Sequence, residues 1–113
     1  ITFLDHTDCV TALQFDGDRL ISGGYDKTIK EWSIKTGLCR RENRVESAVR
    51  SLQYDKSKLV TGCAASAQIW DIDSFEILSC LRSPTGFISS IRFYENFFCI
   101  SLSDSYLYIF KTE

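Results

Sequence analysis

The stretch Val10-Thr-Ala-Leu-Gln-Phe15 decides the fold, because it returns twice, as Val49-Arg-Ser-Leu-Gln-Tyr54 and as Ile88-Ser-Ser-Ile-Arg-Phe93. The openings Val10, Val49 and Ile88 are 39 residues apart each time. A second apolar run follows each of them: Leu20-Ile21-Ser22-Gly23, Leu59-Val60-Thr61-Gly62 and Phe98-Cys99-Ile100-Ser101. A third run ends in an aromatic residue: Ile29 to Trp32, Gln68 to Trp70 and Leu107 to Phe110. A period of roughly 40 residues filled by several short strands marks a propeller-type array.

Turn residues punctuate the runs. Asp16-Gly17-Asp18, Asp55-Lys56-Ser57 and Glu95-Asn96 separate first from second strands. Tyr25-Asp26-Lys27 and Ser103-Asp104-Ser105 separate second from third, and Lys35-Thr36-Gly37 and Asp73-Ser74-Phe75 separate third from fourth. Clusters of this composition between β-branched and aromatic runs bound strands. The fourth strands are placed at Cys39 to Arg44 and Ile77 to Leu81. Residues 2–5 look like a further strand, which makes twelve candidates in all. The expected division is an outer strand of a preceding or closing unit at 1–6, then units at 7–44, 45–82 and 83–113. The last unit lacks its own outer strand, and Pro84 lies in the loop before it. Closed propellers have about 4–8 blades. Three would leave apolar faces open and favour association.

At 113 residues the chain is expected to be one domain. A hydrophobic content of 44% suits a packed core. The net charge of −2, with no basic cluster beyond Lys35 to Arg44, argues against a nucleic-acid footprint. No apolar run approaches the ~20 residues of a membrane-spanning helix, and no signal peptide is read at the N-terminus. With no Met and a start at Ile1, the chain is expected to be part of a longer product. Its five cysteines, Cys9, Cys39, Cys63, Cys80 and Cys99, are widely spaced, and none forms a C-x-x-C pair. They read as free, buried thiols in a reducing compartment, and Cys63 and Cys99 as small hydrophobes within strands. With His6 the single histidine, no metal site and no cofactor is expected.

The first unit carries His6, Ser22-Gly-Gly-Tyr25-Asp26 and Trp32 in order. The second keeps Thr61-Gly62 and Trp70-Asp71, and the third keeps Ser101, Asp104 and Phe110 in the Trp place. This pattern resembles the WD40 repeat. The resemblance implies an all-β fold, a fragment of a WD40-type β-propeller with three four-stranded antiparallel blades. It also implies a polar clamp in each blade, in which His, Ser or Thr, Asp and Trp hydrogen-bond together. His6, Ser22, Asp26 and Trp32 would make one full clamp. Thr61 and Trp70 would be what remains of a second, since Val45 and Ala65 stand in the His and Asp places. Clamping is therefore expected to weaken toward the C-terminus, with the second and third blades less rigid than the first. A partly filled polar network rigidifies less than a full one.

His6, Ser22 and Asp26 also have the composition of a catalytic triad. A triad needs an exposed nucleophile and an oxyanion hole, and no nucleophile elbow is present. Asp71 and Asp73 read as turn residues rather than acid–base partners. No catalytic residue is expected, and an enzyme on a propeller remains an alternative without a convergent cluster to support it.

In the WD40 family, partners meet the rim at three places per blade. Carried over, these are Cys9, Thr11 and Tyr25, then Ala48, Arg50 and Ala64, then Phe87, Ser89 and Ser103. Tyr25, Arg50 and Phe87 are of the types enriched at binding hot spots, alongside Thr11, Ser89 and Ser103. Arg50 stands where F-box substrate receptors read phosphopeptides, and Arg suits bidentate phosphate bonding. The expected function is a non-enzymatic scaffold or adaptor that binds proteins or peptides, with further blades or another copy as additional partners. No nucleic acid or membrane insertion is expected. Among intracellular, cytoplasmic WD40 proteins the phrases resemble fungal mitochondrial-division adaptors and the F-box receptors of ubiquitin ligases.

Overall fold

The computed structural model of the chain describes residues 6–83, 87–103 and 106–111, with the backbone alone at Phe110. The described residues form eleven antiparallel strands in three sheets. The first sheet runs β1 (Val10–Asp16), β2 (Arg19–Gly24), β3 (Thr28–Ser33) and β4 (Cys39–Arg44), in that spatial order. The second repeats it with β5 (Val49–Tyr54), β6 (Lys58–Cys63), β7 (Ser66–Asp71) and β8 (Glu76–Arg82). The third holds β9 (Ile88–Tyr94), β10 (Phe97–Leu102) and β11 (Leu107–Lys111). The strand expected over 2–5, Pro84, the Asp104-Ser105 turn and the Phe110 side chain lie outside the described residues. No helix among the described residues is long and apolar enough to cross a membrane.

Local chemistry sets the turns. Gly17 and Gly37 sit at φ 60° and 73°, where a residue without Cβ is unstrained. In the second sheet Phe75 takes the place of Gly37 and holds φ 61° as a non-glycine. Its ring is 4% exposed and packs on Trp70 at 5.6 Å between centroids. Burial of a large aromatic offsets the left-handed backbone there.

The sheets stack face to face. Ile21 and Ile29 of the first meet Leu52, Tyr54, Leu59 and Trp70 of the second. Val60, Ala67 and Ile69, on the opposite face of the second sheet, meet Ile91, Phe93, Phe98 and Ile100 of the third. Each fully buried aliphatic side chain contributes about 1.5–3 kcal/mol. The stack is tight at its inner edge: a Cβ on Gly23 would lie 2.8 Å from Val49 Cγ1. Among the described residues, the middle sheet is thus covered on both faces and each end sheet on one.

The cysteines depart from the expected burial. All five are free, but Cys63 alone is buried; Cys9 and Cys80 are exposed, and Cys39 and Cys99 intermediate. Cys9 precedes β1, Cys80 lies on the outer strand β8, and Cys99 lies on the open face of the third sheet. Apolar sequence context marked the strands but not which faces find a neighbour.

Candidate functional site

In the first sheet, His6 Nδ1 lies 2.8 Å from Asp26 Oδ2 and its Nε2 lies 2.6 Å from Ser22 Oγ. Trp32 Nε1 donates to the same Ser22 oxygen at 2.8 Å. A carboxylate only accepts, so Nδ1 carries the proton toward Asp26 and Nε2 accepts from the Ser22 hydroxyl. Thr28 Oγ1 donates to Asp26 Oδ1 at 2.9 Å, and the Thr7 amide to Oδ2 at 3.2 Å. Burial pushes the Asp26 carboxyl up. The hydrogen bonds from His6, Thr28 and Thr7 outweigh it and hold the group below its ordinary value. The geometry is triad-like in its distances alone. Ser22 is 4% exposed, and its oxygen is already shared between a ring nitrogen and an indole. It presents no nucleophile to solvent, which acyl transfer requires.

The second sheet holds a longer chain of bonds than its motif suggests. Trp70 Nε1 donates to Thr61 Oγ1 at 3.0 Å, and Thr61 Oγ1 donates to Gln68 Oε1 at 2.8 Å. Gln68 Nε2 donates to Ser66 Oγ at 2.9 Å, and Ser66 Oγ to Glu46 Oε1 at 2.6 Å. Arg82 closes the chain on Glu46 Oε2 at 3.2 Å. Val45 and Ala65 do stand in the His and Asp places, but Glu46, Ser66 and Gln68 do their work from neighbouring positions. The expectation of a depleted second clamp missed these three residues. The available signal was register: Gln68 pairs directly with Thr61 across the ladder.

The candidate binding surface lies at the start of β1, β5 and β9, the same end of the sheets as the turn that carries Asp26. Each inner strand carries a bulge at one repeat-equivalent point. Val10 pairs with Gly24 and Ala12 with Gly23, which leaves Thr11 unpaired. Val49 pairs with Cys63 and Ser51 with Gly62, which leaves Arg50 unpaired. Ile88 pairs with Leu102 and Ser90 with Ser101, which leaves Ser89 unpaired. A bulge re-aims the side chain it frees. Thr11, Arg50 and Ser89 accordingly line one groove of about 240 Å³ that crosses all three sheets.

Arg50 is exposed, and its side chain makes no hydrogen bond or ion pair among the described residues. Arg92, which the rim pattern does not mark, lines the same groove. It donates to the Leu52 carbonyl at 3.1 Å, which leaves most of its guanidinium N–H groups available. No Asp or Glu is among the described lining residues. The groove is therefore cationic, with hydroxyls on either side.

The remaining rim positions stand apart from the groove. Tyr25 is 51% exposed, and its amide is tied to the Cys9 carbonyl at 2.9 Å. Phe87 is 57% exposed; its amide donates to Ser103 Oγ at 2.9 Å, and the Ser103 amide donates back to its carbonyl at 2.8 Å. Asp71 accepts from the amides of Asp73 and Ser74 at 2.8 and 3.3 Å, as a turn residue does.

Comparison with known proteins agrees with this architecture. The family described as WD domain, G-beta repeat matches residues 1–33. The chain is 36% identical over 92 residues to the DENN domain and WD repeat-containing protein SCD1 of Arabidopsis thaliana, covering 78% of this chain and 8% of that protein. It is 39% identical over 116 residues to Mitochondrial division protein 1 of Eremothecium gossypii, covering 81% and 16%. With the Kluyveromyces lactis protein of the same name it shares 27% over 113 residues, covering 78% and 16%. The chain thus spans only a small part of the relatives it matches. WD repeats in general mediate protein–protein interactions, and these relatives are not named as enzymes. The matched repeat, its recurrence through three stacked sheets and these relatives show that the chain belongs to the WD40-repeat family.

Proposed function

We propose that this chain is a protein-interaction module whose groove receives an acidic segment of a partner protein. The observation that carries the reading is the convergence of Thr11, Arg50 and Ser89, with Arg92 beside them, in one groove. Two guanidiniums suit a carboxylate or phosphate, since charge-assisted bonds from Arg are the strong ones. The Thr11 and Ser89 hydroxyls already donate to the Val49 and Ser101 carbonyls. Tyr25 and Phe87 offer exposed aromatic area beyond the groove, and Ser103 orders the loop under Phe87. His6, Ser22, Asp26, Trp32, Thr61 and Trp70 act as structural supports for that surface. Residues 7–44, 45–82 and 83–113 are read as successive blades. The relatives named for mitochondrial division favour an adaptor role over an F-box receptor role. The free thiols fit a reducing, cytoplasmic setting.

Fluorescence anisotropy with three labelled peptides tests the reading: one rich in Glu, one with phosphoserine in the same places, and one neutral. The anionic peptides should bind more tightly than the neutral one, and salt should weaken them. Arg50→Glu should cost at least about tenfold in affinity, the scale of losing a charge-assisted bond, with an unchanged melting curve. Equal binding of the neutral peptide, or an unaffected Arg50→Glu variant, would remove the groove as the site. Preference for the phosphoserine peptide would restore the F-box reading.

A further inference from the structure

The rim of the middle sheet is lined by small residues, and each neighbouring sheet raises an aromatic one beside it. Two rim positions recur every 39 residues: Cys9, Ala48 and Phe87 before the inner strands, and Tyr25, Ala64 and Ser103 after the second strands. The middle sheet has alanine at both, with the exposed Arg50 two residues beyond Ala48. The first sheet has Tyr25, 51% exposed, and the third has Phe87, 57% exposed. Neither ring packs on another ring among the described residues. The order across the three sheets is thus aromatic, cation, aromatic.

The three rims are tied together at this end. The Thr11 hydroxyl donates to the Val49 carbonyl, and the Ile88 amide donates to the Ala64 carbonyl at 2.7 Å. The Cα traces of β1 and β5, and those of β5 and β9, come within 8 Å of each other. An extended chain rises ~3.3 Å per residue, so two residues cover about 6.6 Å and match one such step. Side chains two residues apart in that chain also point to the same face. A segment laid across the rims therefore turns every second residue down, one toward each sheet.

Charge decides what each of those residues is. The central one meets Arg50 and Arg92, in a groove with no acid among its described lining residues. The one over the first sheet meets Tyr25 and, beside it, the exposed Asp8, whose carboxylate accepts from the Cys9 amide at 2.7 Å. A second acid there would face a like charge, which is costly. The one over the third sheet meets Phe87. Exposed aromatics of this kind supply large contact area to an apolar side chain.

We infer that the groove takes an extended segment with one acidic residue, flanked by apolar residues two positions before it and two after. This rests on the groove reading above and adds the conformation, length and anchors of the segment. The acid meets Arg50, the apolar anchors lie on Tyr25 and Phe87, and the residues between face solvent. The pattern is symmetric, so either chain direction fits.

Two peptides of one composition test this on the 113-residue chain by fluorescence anisotropy. Each has a central Glu and two Leu in a Gly/Ser background. The Leu residues stand at −2 and +2 in the first, and at −1 and +1 in the second. The first should bind at least about tenfold more tightly, because both its anchors face the rim. Tyr25→Ser and Phe87→Ser should each remove at least about threefold of that preference, the share of one anchor. Neither should change the affinity of the second peptide, and melting curves check that both variants fold. Arg50→Glu should weaken both peptides. Equal affinities, or a preference that survives Tyr25→Ser and Phe87→Ser, would overturn the spacing; the groove would stand if Arg50→Glu still weakened both peptides. No binding of either peptide, or indifference of both to Arg50→Glu, would overturn the groove and the spacing together.

Discussion

Gln14 grips the backbone of Tyr54 with both ends of its amide. Its Nε2 donates to the Tyr54 carbonyl at 3.0 Å, and its Oε1 accepts from the Tyr54 amide at 2.9 Å. Gln53 repeats the grip on Phe93, at 2.9 Å for both bonds. These two side chains register each inner strand against the next, across sheets that share no ladder. Gln53→Leu keeps the bulk and loses both bonds. It should cost about 1–3 kcal/mol, because the Phe93 amide and carbonyl lose their partner. Urea unfolding measures it, and an unchanged midpoint would mean that water replaces the grip freely.

Trp32 is 2% exposed and joins the ring of His6, 6.0 Å away between centroids, to Ser22. Trp32→Ala should destabilise by ~3–5 kcal/mol, the range for truncating a buried aromatic. That is a large share of the ~5–15 kcal/mol available to an ordinary domain. A loss below ~1 kcal/mol in the same assay would show that the indole is not in a packed clamp.

Gln68 is the centre of the second sheet's bond chain and is 3% exposed. Gln68→Leu would leave the buried Thr61 hydroxyl without its acceptor, while Ser66 keeps Glu46. The expected cost is about 1–3 kcal/mol. Ser66→Ala, which removes a smaller group and leaves the Thr61–Gln68 bond in place, should cost less. Denaturant midpoints for the two variants in the reverse order would argue against a relay through Gln68.

Acid should weaken the fold through Asp55. Burial opposes its charge, but the Lys58 side chain and the amides of Ser57 and Lys58 bond to the carboxylate and hold its pKa at about 2, against an ordinary 3.8. A lowered folded-state pKa means stability that is fully present above 3.8 and lost as pH falls toward about 2. Asp26, also lowered, adds loss with the same sign. Urea midpoints taken through this window should fall for the wild type and fall less for Asp55→Asn. Identical slopes would remove Asp55 as a contributor.

Much of the fold was legible because it depends on local pattern. The 39-residue recurrence placed every described strand to within a residue or two of its bounds, and β4 and β5 at their ends. Of the residues that the resemblance assigns to the rim, Thr11, Arg50 and Ser89 line one groove, whereas Tyr25, Phe87 and Ser103 lie outside it. Arg92 was hidden because it holds a position that its two repeats fill with Gln, a bridging residue.

By itself the sequence determined the period, the strands and their turns, which follow from spacing, since residues on one strand face alternate and repeats superpose. The grouping of His6, Ser22, Asp26 and Trp32 came only from the family resemblance. The tertiary structure alone decided three things. It decided which residue each bulge turns into the groove, because a bulge is a mismatch between two strands and belongs to neither. It decided that Glu46, Ser66 and Gln68 rebuild the second clamp, because a hydrogen bond depends on where donors and acceptors converge rather than on which column they occupy. It also decided which of several similar apolar faces stay open, because a face is buried only when another sheet stands against it.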